Sequence, residues 1–510
     1  MASARRVLWS ALGAVSCAAI TLAAAPAHAE PAAAAPDGPA LARQLVRKVN
    51  VDGVNRHLVA FQRIADSNGG RRASSTPGHE ASVNYVAGKL RDAGFDVSVQ
   101  EFPFTYTQTL AERLTAGGKD HQVRIMRYSP STQKDGVTAP LAVVPVDATP
   151  GCEAEDYAGV DAKGRIALVQ RGGCGFAQKQ QVAAQAGAVA ALVYNNEDGE
   201  VNGTLGEPDA GRIPTGGVTR AVGEALAKQP AQPVTLDLRA LREQRTSKNV
   251  IAQTRTGRTD NVVMAGAHLD SVTDGPGIND NGTGSAALLE TALQLGSRPK
   301  VNNAVRFAWW GAEEFGLVGS THYVRNLGFE QQLDLALYLN FDMLGSPNAA
   351  YLVYDGDDSD KKGAGSGPYG SAQIEKAFID YYKARGIETE GTDFDGRSDY
   401  GEFIAKGIPA GGVYSGAEVI KTEAQAAKWG GKAGVAFDPC YHHACDNLGN
   451  IDRKALDRNA DAVAWVVASY AVSTEDVNGV PAREKRADAR AKQQRAAVAK
   501  PHVSKGENLA

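Results

Sequence analysis

Three stretches in the second half of the chain, 262–267, 305–310 and 335–341, are almost continuously apolar. Strands covered on both faces read this way, because neither side meets water. Between and after them, 285–295 and 455–471 place apolar residues at helical spacing over enough length to form helices. Alternation of this kind predicts an α/β fold, a mostly parallel twisted sheet flanked by helices. Upstream, the spacing is helical from Leu41 to Ala65 and again over 80–93, with Gly94 placed to end the second helix. Residues 95–99 then alternate as a strand. The texture changes over 136–240: short strands at 141–144, 166–169 and 190–194 and a helix at 176–186 are separated by turn residues, with Pro145 closing the first strand. This stretch contains no His and its acids are scattered, so it reads as a separate, inserted β-rich α/β module. The main domain is accordingly 41–135 joined to 241–472. Residues 473–510 are Ala-rich and basic with few large apolar side chains, and are predicted to be a disordered or processed tail.

The first residues bear on location. Arg5 and Arg6, an apolar run and Ala27-His28-Ala29 form the pattern of a signal peptide over 1–29, followed by an Ala/Pro-rich flexible leader over 30–40. The apolar run is too short for a membrane span and soon meets Pro26 and Glu30. Cys17 lacks a Leu three residues before it, which counts against a lipid anchor. The expectation is a secreted, extracellular protein. After the signal, Cys152, Cys174, Cys440 and Cys445 remain; an oxidising compartment and proximity favour disulfides 152–174 and 440–445, against a reading as free thiols. The first would close a loop worth roughly 3 kcal/mol of chain entropy. The 510 residues imply more than one domain, and a net charge of −4 argues against nucleic acid or an anionic membrane as partner.

Chemistry concentrates where the strands end. His268 with Asp270, then Asp280, Glu313-Glu314, Asp342 and His442 offer imidazoles and carboxylates without thiolate. That donor set suits a catalytic zinc site rather than a structural one. A shared carboxylate such as Asp280 can bridge two metals, and one left unligated can act as a general base. His268, Glu313-Glu314 and Asp342 each follow an apolar run closely, at the strand ends where α/β sheets gather ligands. Taken alone, a His-x-Asp or an acidic pair is ordinary polar surface; the ordered set is not. His443, beside His442, reads as a solvent-facing neighbour. His79-Glu80 begins a thermolysin-type motif, but Val83 stands where its second His would be, and there is no G-x-S-x-G elbow.

Together, residues 266–271, 277–282, 310–314, 340–343 and 440–442 resemble the co-catalytic zinc aminopeptidases of the M28 family, over about 41–105 and 245–472. The stretch around 172–188 is similar to a protease-associated (PA) domain. The resemblance implies two zinc ions: His268 and Asp342 on one, Glu314 and His442 on the other, and Asp280 between them. It implies Glu313 as general base, Tyr441 as a hydroxyl for the tetrahedral intermediate, and Asp270 as a carboxylate orienting His268. It also implies Arg397 near the substrate carbonyl, Tyr414 in the pocket for the first residue, and a cis peptide between Asp280 and Asn281. Asp457 and Asp461 match two calcium ligands of the family, but Lys48 stands where an acidic partner is needed, which counts against calcium. The implied partner is a peptide with a free N-terminus, the implied cut falls after a Leu or another large apolar first residue, and the implied state is a monomer. Glutaminyl-cyclase or carboxypeptidase chemistry on the same scaffold, and a non-catalytic peptide-binding relative, are the alternatives.

Overall fold

A computed structural model describes residues 37–499 apart from 202, 362, 364, 476 and 478. The signal-peptide expectation for 1–29, most of the leader and the end of the tail lie outside the described residues. The three apolar runs form strands Arg258–His268, Asn303–Trp310 and Leu335–Phe341, every residue of the last being buried. Arg258–His268 is the central one, pairing in parallel with the other two, and Leu335–Phe341 pairs in parallel with Ala410–Tyr414. The sheet continues past Ala410–Tyr414 through Leu352–Tyr354 to Glu390–Thr392. Helices Gly284–Leu295 and Arg453–Val472, whose expected ranges differ by one or two residues, press Leu288, Leu289, Val463 and Val467 into the core of one face.

The N-terminal helical stretch is two helices rather than one. Gly38–Lys48 and Val51–Ser67 are separated because Asn50 turns extended and caps the second, its side chain accepting the Gly53 N–H at 2.9 Å. Such a cap satisfies one of the free amides that open a helix, so a break needs only a residue able to supply it. Helix Pro77–Asp92 ends before Gly94, whose φ of +82° is the left-handed conformation glycine adopts freely.

The strand expected at 95–99 is far longer. Asp96–Ala116 pairs antiparallel with Val234–Gln253 from Asp96↔Gln253 to Ala116↔Val234, a two-stranded ribbon leaving the main sheet. At its far end lies a second sheet of Arg124–Ile125, Thr215–Val218, Ala190–Tyr194, Ile166–Gln170 and Leu141–Val143. Ribbon residues Leu114, Val234 and Leu236 enter the same apolar core as Ile166, Leu168 and Leu192. The second sheet thus takes in the strand at 124–125, upstream of residue 136, and the ribbon enters its core from both sides. Disulfides join Cys152 to Cys174 and Cys440 to Cys445.

The expectation of disorder after residue 472 fails over Arg483–Ala499, which is helical. This stretch docks through its cations, which the absence of large apolar residues concealed. Arg483 pairs with Asp334 and Glu330, and buried Arg486 donates to the carbonyls of Pro481 and Leu333. Among the described residues no helix is long and apolar enough to cross a membrane.

Within the module, Lys179 is buried, its ammonium donating to the Pro150 carbonyl beside Cys152. Burial lowers its pKa to about 8, from an ordinary value near 10.5. The unfolded chain binds this proton more tightly, so stability rises with pH between those values. In paired thermal melts, the wild-type melting temperature should rise relative to Lys179→Met between about pH 8 and 10. A constant offset would show that the amine is not protonated differently in the two states.

Candidate metal centre

His268 is the last residue of its strand, Asp342 follows Phe341 directly, and Glu313 and Glu314 stand just beyond Trp310. Three adjacent parallel strands thus deliver these groups to one edge of the sheet. Asp280 comes from a turn of irregular backbone that precedes helix Gly284–Leu295, and His442 from the loop closed by Cys440–Cys445. The decisive geometry is at Asp280. One carboxylate oxygen lies 3.1 Å from Nε2 of His268 and the other 3.2 Å from Nε2 of His442. His268 Nε2 is also 3.2 Å from Asp342, and His442 Nε2 is 3.2 Å from Glu314. Glu313 is 3.9 Å from His268 Nε2, and its carboxylate joins His268 and Asp342 in one cluster of donor atoms. His443 is exposed.

Local hydrogen bonds hold these groups in place. The backbone N–H groups of Asn279 and Asp280 donate to the two carboxylate oxygens of Asp446, at 2.7 and 3.0 Å. Asp446 directly follows Cys445, so the loop that presents His442 also grips the turn that presents Asp280. The Asp280–Asn281 peptide is cis, as the resemblance implies. Fully buried Arg72 donates to the carbonyls of Leu269, Pro276 and Gly277, holding the chain between His268 and Asp280. The turn into Glu313 is held amide by amide: Gly311 N–H donates to Asn249, Ala312 N–H to Ser74 and Glu313 N–H to Asp270, at 3.1, 2.6 and 3.2 Å. Asp342 accepts from Ser398 at 2.7 Å, and Ser398 accepts from Asn340 at 2.8 Å.

Asp270 faces His268 with both its backbone and its side chain. His268 Nδ1 lies 3.2 Å from the backbone oxygen of Asp270 and 3.8 Å from its carboxylate. The carbonyl is the nearer acceptor, while the carboxylate holds the Glu313 amide. Tyr441 stacks on His442 with ring centroids 3.8 Å apart, and its hydroxyl accepts from Arg397 at 3.1 Å. Arg397 is fixed from the other side by Glu418 at 2.8 Å. A cavity of about 290 Å³ opens over these groups, its wall including Met343, Leu352, Tyr414, Val419 and Phe437.

Charge is crowded. Burial raises the pKa of Glu313 well above the carboxylate range, helped by Glu314 and Asp399 and opposed by His268. Burial and Asp280 bring Glu314 to about 7. Burial works the same way on Asp280, but hydrogen bonds with His268 and His442 outweigh it and hold that pKa low. Burial also lowers both imidazoles, yet Asp342 and Glu313 around His268, and Glu314 and Asp280 around His442, carry them well above the ordinary value. Glu314 Oε1 is buried without a hydrogen-bond partner among the described residues. Oxygen and imidazole donors facing inward with a bare carboxylate oxygen suit a cation of the zinc type.

Residues 249–467 match the model of peptidase family M28, and 137–226 match the PA domain. The probable lipoprotein aminopeptidase LpqL of Mycobacterium tuberculosis is 50% identical over 452 residues, 87% of this chain and 90% of that protein. The chain belongs to peptidase family M28. Leucine aminopeptidase 2 of Trichophyton rubrum is 42% identical, over 86% of this chain and 88% of that protein. Among solved structures, the zinc aminopeptidase BSAP of Bacillus subtilis is similar with a TM-score of 0.60 and 26% identity, over 83% of this chain and 96% of that one. In this M28 peptidase the expected groups His268, Asp280, Glu313, Glu314, Asp342, Tyr441 and His442 converge on one site. Asp457 and Asp461 stand apart: Asp457 accepts the Val51 N–H at 3.2 Å, and no third acidic group gathers with them among the described residues.

Ser74, Asn249, Arg72 and Asp446 escaped the sequence reading. None lies in a recognisable motif, and each acts across a long span of chain; Asp446, one residue past a paired cysteine, carried the nearest thing to a signal. Ser74 tests the amide-by-amide support. Ser74→Ala leaves the buried Ala312 N–H unmatched, so stability should fall by about 1–3 kcal/mol in urea unfolding. Ser74→Thr, which keeps the acceptor, should recover most of it.

Proposed function

We propose that this chain is an exported di-zinc aminopeptidase that removes a Leu or another large apolar residue from the N-terminus of peptides. The observation that carries the reading is the position of Asp280, one carboxylate facing two imidazoles, each of which faces a further carboxylate. That arrangement supports the reading of two ions: His268 and Asp342 would hold one, His442 and Glu314 the other, and Asp280 would serve both. Aminopeptidase activity is supported by relatives that bear that name, and zinc by the neighbour described as a zinc enzyme. Export rests on the signal-like pattern of residues 1–29 and accords with two disulfides.

When bound, zinc supplies Lewis acidity, making water more acidic and polarising a carbonyl oxygen. The protein's own groups do the rest. Glu313, whose carboxylate gathers with His268 and Asp342, takes the proton from the attacking water and returns it to the leaving amine nitrogen. Tyr441 accepts from Arg397, which leaves its own O–H free to donate to the developing oxyanion. The acidic groups attract the α-ammonium of the substrate. Met343, Leu352, Tyr414, Val419 and Phe437 give the first side chain an apolar wall, in a cavity of about 290 Å³ that suits one residue.

The adjacent glutamates test the scheme because their chemistry is the same and their roles differ. Glu313→Gln should lower kcat on Leu p-nitroanilide by about 10²–10⁴ while both zinc equivalents stay bound. Glu314→Gln should lose about one zinc equivalent along with activity. Metal analysis beside kinetics separates the two: a metal lost from Glu313→Gln, or none lost from Glu314→Gln, reverses the assignment. A fully active Glu313→Gln sinks the mechanism. An N-terminal Gln peptide and an N-blocked peptide, assayed in parallel, should remain uncyclised and uncleaved.

A further inference from the structure

The module reaches the catalytic cavity through one cation. The backbone of Arg127 belongs to the module: its N–H donates to the Gly203 carbonyl at 2.8 Å and its own carbonyl accepts from Leu205 at 2.9 Å. Its side chain leaves the module, donates to the Phe315 carbonyl and lines the cavity that contains Glu313, Glu314 and His442. It lies so close to Gly316 that a Cβ there would sit 2.5 Å from Nη1, so the approach depends on glycine. The ring of Tyr128, 5.0 Å from the guanidinium carbon, backs it.

This turn is the one that carries the general base. The N–H groups of Gly316 and Leu317 both donate to the Glu313 carbonyl, at 2.7 and 2.9 Å. The other guanidinium on the cavity wall, Arg397, is already engaged by Glu418 and Tyr441. Arg127 makes no ion pair among the described residues, although the same wall carries Asp280, Glu313, Glu314 and Asp342. A guanidinium fixed by backbone and ring contacts, with donors left over and no internal anion, is prepared to bind a carboxylate from outside.

Direction follows from chemistry, resting on the aminopeptidase reading. Glu313 hands its proton to the leaving nitrogen, so the departing part of the peptide begins beside Glu313 and runs along its turn. In a dipeptide the terminal carboxylate is one Cα beyond that nitrogen. We propose that Arg127 binds a carboxylate on the leaving side of the substrate, so that the inserted module supplies a specificity residue and the enzyme favours short peptides. The carboxylate comes either from the peptide's C-terminus or from an acidic side chain.

The full-length zinc enzyme and its Arg127→Gln variant would be assayed on Leu-Gly, Leu-Gly-NH2 and Leu-Asp-NH2, each kcat/KM divided by that of the same protein on Leu p-nitroanilide. The wild type should prefer Leu-Gly to Leu-Gly-NH2 by about tenfold or more, mainly through KM, as expected of a charge-assisted pair. Arg127→Gln should bring the ratio to about one, and Arg127→Lys should restore part of it. A comparable gain for Leu-Asp-NH2 would show that the site takes an acidic side chain as well, and its absence would confine the site to the C-terminus. Equal use of all three peptides by the wild type, or a preference that survives Arg127→Gln, would falsify the proposal. Failure to cleave the anilide would instead overturn the aminopeptidase reading.

Discussion

Asp280 cannot be placed without placing nearly everything else. It is a buried acid whose two oxygens must face two imidazoles from distant parts of the chain, while Glu313, Glu314, Asp342 and Asp270 crowd round the same space. Removing carboxylates from water is costly unless hydrogen bonds or cations compensate. Here the compensation comes from the imidazoles, from backbone amides and from Arg72. Burial lowers the Arg72 pKa to about 10, opposed by Asp446 and Asp270, which leaves it cationic at neutral pH. Among the described residues Glu314 Oε1 is one of the buried carboxylate oxygens left without a hydrogen-bond partner, with Asp270 Oδ2 another, and a divalent cation is the natural complement.

The support has a common form. Strand ends bring functional groups near one another, but a strand end alone does not aim a side chain. The aim comes from side chains that satisfy loop amides: Asp446 for the Asp280 turn, and Asn249, Ser74 and Asp270 for the Glu313 turn. A buried amide must be paired, so each of these residues fixes one point of backbone that no helix or strand would fix. Ala312 and His442 are non-glycine residues at φ of +55° and +59°, conformations that persist only where surroundings enforce them.

The module stands on a two-stranded ribbon instead of a flexible linker. Its pairing runs from the main sheet into the module's core, with a register shift between Thr109 and Ala111. Arg127, folded as part of the module, meets a turn of the catalytic domain at the Phe315 carbonyl.

Much of this was written in local order. Short runs so nearly apolar read as strands covered on both faces, and 262–267, 305–310 and 335–341 proved to be neighbours in the sheet, since period and length depend on nearby residues alone. The donor set was legible too, because imidazoles and carboxylates just after such strands share one edge. Other features were hidden. Asn50 broke a helix that periodicity alone ran together, and the helix at 483–499 docks through arginines whose partners at 330, 333 and 334 no local pattern can identify. Arg72, Ser74, Asn249 and Asp446 are unremarkable letters whose meaning arises only where a distant backbone amide or carbonyl needs a partner. Composition and period determine which segments are buried; which buried polar groups meet is decided by the tertiary fold, since hydrogen bonding acts at contact distance and is blind to separation along the chain.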